Sequence, residues 1–426
     1  MADQTTGKVP RIRFKEYSEP WADETIGGVL AEKRRPIVLE DDQRYELITV
    51  KRRNEGVVSR GHLLGRDILV KNYAQLKAGD FVISKRQVVH GATGIVPPAL
   101  DGAIVSNEYL TAIDSEKLLT EFLTIVASLP AMRRKFFLSS YGVDIEKLFF
   151  DADDWKKRVV TIPQVTEQNR IGAFFRELDL FIALHQRKHD KLMALKKAML
   201  QKMFPKPDEG APGIRFKGFQ GSWAEESVEK AMENIANNSL SRANLNHRSG
   251  LAKNVHYGDI LTKFGEVLDA QTDDVPLISS DAIVEKLSSS RLRDGDIVMA
   301  DAAEDEAVGK CTELRNIGNQ IVVAGLHTIA LRPKSSFAPF FLGYYLNSDA
   351  FHTQLLPIMQ GTKVLSISKT AIKRLRVRFP THEAEQRRIG AFFYNLDLLI
   401  RRHARQIQKF RQIKSSCLET MILSEL

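Results

Sequence analysis

The feature that most constrains this chain is that much of its first half is written again in its second. Gln168-Asn169-Arg170-Ile171-Gly172-Ala173-Phe174-Phe175, followed by Leu178-Asp179, returns as Gln386-Arg387-Arg388-Ile389-Gly390-Ala391-Phe392-Phe393, followed by Leu396-Asp397. Nearer the start of each half, Ile12-Arg13-Phe14-Lys15 with Trp21 returns as Ile214-Arg215-Phe216-Lys217 with Trp223. The stretch between the two motifs is longer in the second half, so the ends are kept while the material between them has diverged. A duplication of this kind predicts two similar units related by an approximate two-fold, a form suited to reading two places on a larger partner.

Bulk properties agree with that reading. At 426 residues the chain exceeds what one hydrophobic core usually supports. A formal charge of +9 favours a polyanionic partner, with nucleic acid first and an anionic membrane surface second; an ordinary basic protein is the bland alternative. No run approaches ~18 apolar residues, and the opening MADQTTGKVP lacks an apolar signal core, which predicts a soluble, cytoplasmic protein without a membrane partner. Cys311 and Cys417 stand far apart without Cys or His neighbours at ligand spacing, so neither a disulfide framework nor a zinc site is expected.

Between the repeated motifs, short β-type runs alternate with glycines at 67–70, 80–83 and 103–105. Gly79-Asp80 opens one run and Gly295-Asp296 opens its counterpart at 297–299, while 324–331 echoes 106–113. Apolar segments of helical character follow at 118–129 and 340–356. The expected fold is therefore α+β, with two mixed globules.

Each globule ends at a proline, Pro163 or Pro380, and a helix then begins with Glu167 or Glu385 in its first turn, where the helix dipole favours a carboxylate. Apolar residues recur every seven positions: Ile171, Leu178, Leu192 and Met199, backed by Phe174, Phe181 and Leu195, then Ile389, Leu396, Phe410 and Cys417, backed by Phe392, Leu399 and Ile413. This is a coiled-coil seam, and a helix over 167–204 would be about 57 Å long. His185 and His403 hold equivalent seam positions and are read as setting register. Pro205, Pro207 and Pro212 with Gly210 and Gly213 form a short linker, so the second helix is expected to run antiparallel to the first, with Phe410 level with Leu178. The expected segments are a first globule at 1–165, a helix at 166–204, the linker at 205–213, a second globule at 214–383 and a last helix at 384–426.

Catalytic signatures are missing. The one Pro-Pro pair, Pro97-Pro98, follows Val96, which does not suit an amino-methyltransferase loop. The Gly-Lys pairs Gly7-Lys8 and Gly309-Lys310 precede Val and Cys, which does not suit a phosphate loop. Pro207-Asp208 lies in the linker without the carboxylate-x-Lys of a metal-dependent nuclease. Basic and amide side chains cluster instead where the halves differ. The first globule carries Lys33, Arg34 and Arg35, and the candidate DNA-binding residues Lys51, Arg52, Arg53, Arg60, Lys85, Arg86 and His90, with His62 and Gln87 beside them. The second carries Asn237, Asn238, Ser241, Arg242, Asn244, His247 and Arg248. Arginine can pair bidentately with guanine and Asn or Gln with adenine, whereas Lys mostly holds phosphate; solvated loops are the alternative. The acidic run at 301–306 is expected to face away from such a partner.

A proline followed by Glu-Gln-x-Arg-Ile-Gly-Ala-Phe-Phe-x-x-Leu-Asp, twice, between two divergent globules resembles the specificity subunit of a type I DNA restriction-modification system. The likeness runs from Pro10 to about Ile422 and is sharpest in the helices, at Pro163, Glu167, Gln168, Arg170, Ile171, Leu178 and Asp179 and at Pro380, Glu385, Gln386, Arg388, Ile389, Leu396 and Asp397. Gly79, Gly295 and Gly309-Lys310 also fit it, although the first half has no Gly-Lys to match the last. The resemblance implies that each globule reads one half of a split duplex-DNA target and that the helices set the gap between half-sites. It implies that two methyltransferase subunits dock on the helices, and that two restriction subunits complete the complex. S-adenosylmethionine, ATP and magnesium would belong to those partners, and this chain would bind no cofactor and catalyse nothing. Charges on the helix sides available for docking are Arg176, Arg187, Lys188 and Lys191 on the first helix and Arg387, Arg401, Arg402, Arg405 and Arg411 on the second. A two-domain adaptor without a DNA role, and a DNA-binding relative that serves no enzyme, are the other readings.

Overall fold

The structure is a computed structural model that describes residues 8–287 and 290–423; the outer ends of the expected segments 1–165 and 384–426, and Gly7 of the first Gly-Lys pair, lie outside the described residues. The chain folds as two compact units, Met1–His185 with Gln406–Leu426 and Gln186–Arg405. The two long helices, Val165–Lys202 and Glu383–Met421, each contribute one stretch to either unit.

In the first unit, a four-stranded sheet has the order Ala31–Glu32, Tyr109–Ile113, Phe81–Ser84, Thr93–Ile95. A five-stranded sheet has the order Pro36–Ile37, Tyr73–Gln75, Ile104–Ser106, Arg44–Val50, Val57–Leu64. The helices Thr120–Ala127 and Pro130–Leu138 bury Phe122, Met132 and Phe136, and Phe136 packs with Phe150 and Trp155 at ring distances of 5.6 and 5.3 Å. Burying each such side chain contributes about 1.5–3 kcal/mol. In the second unit, a five-stranded sheet has the order Met232–Ile235, Thr328–Pro333, Ile297–Ala300, Cys311–Arg315, Val267–Asp269. A four-stranded sheet has the order Leu245–Asn246, Leu277–Ile278, Ala252–Val255, Ile321–Ala324.

The Gly-Asp strand openings form one turn twice. Gly79 (φ 92°) and Gly295 (φ 89°) adopt a conformation that costs glycine little and other residues much. The aspartate after each caps the turn, Asp80 accepting from Lys77 N–H at 2.8 Å and Asp296 from Arg293 N–H at 2.7 Å. Each is then clamped by an arginine. Arg35 reaches Asp80 from the run before Pro36–Ile37, and Arg332 reaches Asp296 from the strand beside it. Arg35, read from sequence as part of a basic cluster, is thus a structural partner. In the strands that follow, Val82 pairs with Thr111 and Gly94, and Val298 with Ala330 and Thr312. The expected strand at 67–70 is absent: Gly65–Asp67 is a short 3-10 turn, only Ile68 is buried, and Leu69 is 95% exposed.

The repeated motifs meet at a joint in each unit. Strands Ala22–Thr25 and Val159–Ile162 zip the first globule shut before Pro163, and Ala224–Ser227 and Arg376–Phe379 do the same before Pro380. Arg13 then grips Glu167 through two bonds of 2.7 Å, and Arg215 grips Glu385 through bonds of 2.6 and 2.7 Å. Both carboxylates are buried, so an ion pair and not the helix dipole alone satisfies them. Gln168 donates to the carbonyls of Pro163 and Lys117 and accepts from Leu119 N–H; Gln386 donates to Pro380 and accepts from Ala338 N–H. Ring contacts complete each joint, Trp21 against Phe122 and Trp223 against Phe341, both at 5.9 Å, and Phe14 against Phe174 and Phe216 against Phe392, both at 6.1 Å.

Within each unit the two helix stretches run in opposite directions. Asp179 meets Lys414 and Phe181 stacks on Phe410 in the first; Lys196 meets Asp397 and Phe204 stacks on Phe393 in the second. The ring stacked on Phe410 is that of Phe181, one turn beyond the expected Leu178, and His185 lies 5.7 Å from the same ring. Of the expected seam, Ile171, Leu178, Ile389 and Leu396 are buried, whereas Phe181, Leu195 and Leu399 are exposed. A helix covered along one stripe leaves the margins of a wide apolar face open.

Candidate nucleic-acid interface

Two of the basic runs in the first unit come together. Lys51-Arg52-Arg53 forms the tight turn after strand Arg44–Val50, where Arg53 (φ 59°) and Asn54 (φ 56°) are both left-handed. Asn54 N–H donates to the Gly91 carbonyl at 2.8 Å, tying that turn to the loop that carries Lys85, Arg86 and His90. Arg52 donates from Nε to Gln87 at 2.8 Å and from Nη2 to Glu146 at 2.7 Å. His90 Nε2 lies 3.6 Å from the same Glu146 carboxylate. Arg86 donates to Glu108 at 2.6 Å and sits 5.4 Å from the Phe149 ring centroid, and Phe150 N–H donates to the Lys85 carbonyl. Lys51, Arg52, Arg53 and Arg86 are exposed, and Lys85 and His90 half-buried.

Arg60 and His62 lie on Val57–Leu64, the edge strand of the five-stranded sheet, where residues 59–63 are all exposed. Arg60 is close enough to Tyr109 to oppose the rise in the phenol's pKa that burial causes. As an edge strand it pairs with a neighbour on one side only among the described residues, and it carries these cations.

The second unit uses its candidate residues differently. Asn238 donates to Asn254 and the Ala324 carbonyl and accepts from Leu240 N–H, so its amide ties loops together. Asn237 donates to the Gly325 carbonyl and accepts from Lys369 at 2.7 Å. Arg242 donates to the fully buried Asp259 at 2.7 Å, Ser241 to Asn244 at 3.2 Å, and His247 pairs with Asp274 at 2.8 Å. Ser241, Arg242, Asn244, His247 and Arg248 are exposed. Beside them His256, Tyr257, His327 and Asp301 form a chain of contacts, with ring distances of 4.7 and 5.3 Å and a His327–Asp301 separation of 3.3 Å. Burial, then Arg242, lowers the His256 pKa, and burial raises that of Asp301. Glu304, Asp305 and Glu306 are exposed. Lys310 turns inward to the Leu261 carbonyl, and burial lowers its pKa.

Sequence reasoning passed over Glu146, Glu108 and Phe149 in the first unit and Lys369, Tyr257 and His327 in the second. The available signal was local: Asp144 two residues before Glu146 marks the short turn that presents it, with Asp144 accepting from Glu146 N–H at 3.1 Å. On the helices, Arg187, Lys188, Lys191, Arg401, Arg402, Arg405 and Arg411 are exposed. Arg176 is exposed but bonded to Glu121, and Arg387 to Glu383. Among the described residues no group of three or more His, Cys, Asp or Glu could hold a metal ion, and no helix is long and apolar enough to cross a membrane.

No protein-family model matches the sequence, and no curated protein matches it. Solved structures do. The type I restriction-modification S subunit from M. genitalium aligns over 97% of this chain and 99% of its own, with a TM-score of 0.59 at 12% identity. The HsdS subunit from Thermoanaerobacter tengcongensis aligns over 97% and 99%, with a TM-score of 0.46 at 17% identity. A chain from a structure of type I R-M complex assembly and conformational transition aligns over 96% and 100%, with a TM-score of 0.48 at 18% identity. The M. genitalium likeness shows that this chain has the fold of a type I S subunit, mixed α/β with two long helices, as the sequence resemblance implied.

Proposed function

We propose that this chain is a non-catalytic specificity subunit of a type I restriction-modification system, binding duplex DNA through the exposed loops of both units. The observation that carries the reading is the contrast between joint and loops. The same Arg–Glu grip holds a helix to each globule, while the exposed loops present different cations and amides, Arg52, Arg53 and Arg86 in one, with Arg60 on the edge strand beside them, and Arg242, Asn244 and Arg248 in the other. One constant frame carrying two variable reading surfaces is what a split target requires. Methyltransferase subunits would dock on the exposed charged faces of the helices, restriction subunits would join the assembly, and S-adenosylmethionine, ATP and magnesium would be held by those partners.

The test is binding of the full chain to random duplex across a salt series. A protein neutralising six to ten phosphates loses affinity by about 10³–10⁵ between roughly 50 and 200 mM salt. A flat salt response would favour a protein-binding adaptor and overturn the reading. Methylation mapping of a genome that carries the assembled system would then show a bipartite target.

A further inference from the structure

We infer that Arg52 and Arg86 are pre-set guanine readers, and that Gln87, Glu146 and Glu108 are positioning residues that fix their guanidinium planes. The inference rests on the DNA-reading proposal and goes beyond it by naming the base and the edge that meets it. Arg52 is held along its Nε–Nη2 side by Gln87 at 2.8 Å and Glu146 at 2.7 Å. Arg86 is held along the same side by the two oxygens of Glu108, at 2.6 and 3.4 Å, with its guanidinium over the Phe149 ring. In both, Nη1 has no hydrogen-bond partner among the described residues, and the side chains remain 51% and 62% exposed.

The edge left open therefore carries parallel N–H donors. Guanine offers two acceptors in the major groove, O6 and N7, whereas adenine offers one acceptor and one donor there. Two donors on a fixed plane thus fit guanine and leave adenine mismatched. A phosphate oxygen would accept from the same edge, but holding a phosphate does not require a fixed plane. Exposed ion pairs add little to folding stability, so the effect of these carboxylates falls on the arginines themselves. They remove rotamer freedom before DNA arrives, and they lower the positive charge with which a free arginine would hold any phosphate.

The turn chemistry supports a positioning role. Glu146 sits in the short turn Ile145–Lys147, capped by Asp144, and Glu108 between strands Ile104–Ser106 and Tyr109–Ile113. Both carboxylates thus come from short, hydrogen-bonded connections, Glu108 N–H donating to Ser106 Oγ at 3.4 Å.

The experiment selects bound duplexes from a random pool with the full chain, then replaces each selected guanine with 7-deazaguanine, which lacks N7. In the half-site whose recognition Arg52→Ala weakens, deaza substitution at each of two positions should weaken binding by part of the roughly 5- to 150-fold that loss of a whole bidentate pair costs. Arg52→Ala and Arg86→Ala should each cost more than the deaza change at one of those positions, because they also remove the bond to O6, and deazaguanine there should add nothing to the loss caused by the arginine change. Glu146→Ala should lower the preference for guanine over adenine while binding to random duplex holds or rises, and Glu146→Gln should restore part of the preference. Circular dichroism would confirm that each variant is folded. A neutral response to deazaguanine, or a Glu146→Ala variant that binds every sequence more tightly with its preference unchanged, overturns the assignment but leaves the DNA-reading proposal standing. Absence of duplex binding by the wild-type chain overturns both.

Discussion

In the second unit, Asp397 accepts from Lys196 at 2.7 Å and from the Tyr344 hydroxyl at 2.6 Å, and Lys196 also reaches Glu266 at 2.8 Å. In the first, the repeat equivalent of that aspartate, Asp179, meets only Lys414 among the described residues, and the pair is 57% and 31% exposed. Gly390 differs from Gly172 in the same direction. A Cβ at Gly390 would lie 2.4 Å from the Pro339 carbonyl oxygen, whereas at Gly172 the nearest atom is the side-chain Oε2 of Glu121, at 2.9 Å. The two joints share their grip and differ in how closely the globule approaches the long helix. What the repeat retains is therefore the anchor, while the packing around it has adapted to two different globules.

The largest effects should come from what the joints share. Glu385→Ala and Glu167→Ala each leave a largely buried arginine, 15% and 11% exposed, without its carboxylate. Each should destabilise its own unit by about 3–5 kcal/mol, read by denaturant titration of the full chain. Hydrogen exchange should place the loss in the first unit for Glu167→Ala and in the second for Glu385→Ala. Similar protection in both units would mean that the joints do not act separately.

The glycines sharpen the comparison at a smaller scale. Gly390→Ala drives a methyl group into backbone that cannot swing aside and should cost about 1–3 kcal/mol. Gly172→Ala meets the end of a flexible glutamate bonded to Arg176, and should cost less than about 1 kcal/mol once Glu121 rotates. Equal losses in thermal unfolding would show that the two approaches are equally tight.

How far the sequence revealed this depends on whether a feature is local. The strands after Gly79 and Gly295 were legible because a glycine turn and an apolar run sit side by side. The long helices were legible from seven-residue spacing. The Arg13–Glu167 grip joins residues 154 apart and leaves no periodic trace, although the return of both partners in the second half was a usable signal. The run at 67–70 misled because three consecutive apolar residues look like a buried strand, yet Leu69 and Val70 stand in solvent. At the candidate interface, residue type pointed to Arg52 and Arg86 as candidates but not to the carboxylates bonded to them. Asn238 is of a base-reading residue type too, and its amide is bonded within the fold, a partner set that residue type does not reveal.

The smallest effect separates the two aspartates. Asp179→Asn removes an exposed pair and should change stability by no more than about 1 kcal/mol. Asp397→Asn weakens charge-assisted bonds to Lys196 and Tyr344, worth about 1.5–3 kcal/mol each when lost outright, so the amide should cost part of that. The pH dependence gives the sharper readout. Burial, then the nearby Glu266 carboxylate, raises the Asp397 pKa above the ordinary carboxylate range, against the pull of Lys196. With the folded pKa above the unfolded one, the folded state takes up its proton first as pH falls. Asp397 therefore adds a term that favours folding more strongly as pH drops from its raised pKa to the usual carboxylate value, and that term is lost again as pH rises. Other carboxylates titrate in the same range, so the quantity to measure is the difference between wild type and Asp397→Asn across an acid series. That difference should move in favour of wild type as pH falls and level off above the raised pKa. A constant difference would mean that Lys196 holds the Asp397 carboxylate ionised as readily as water does.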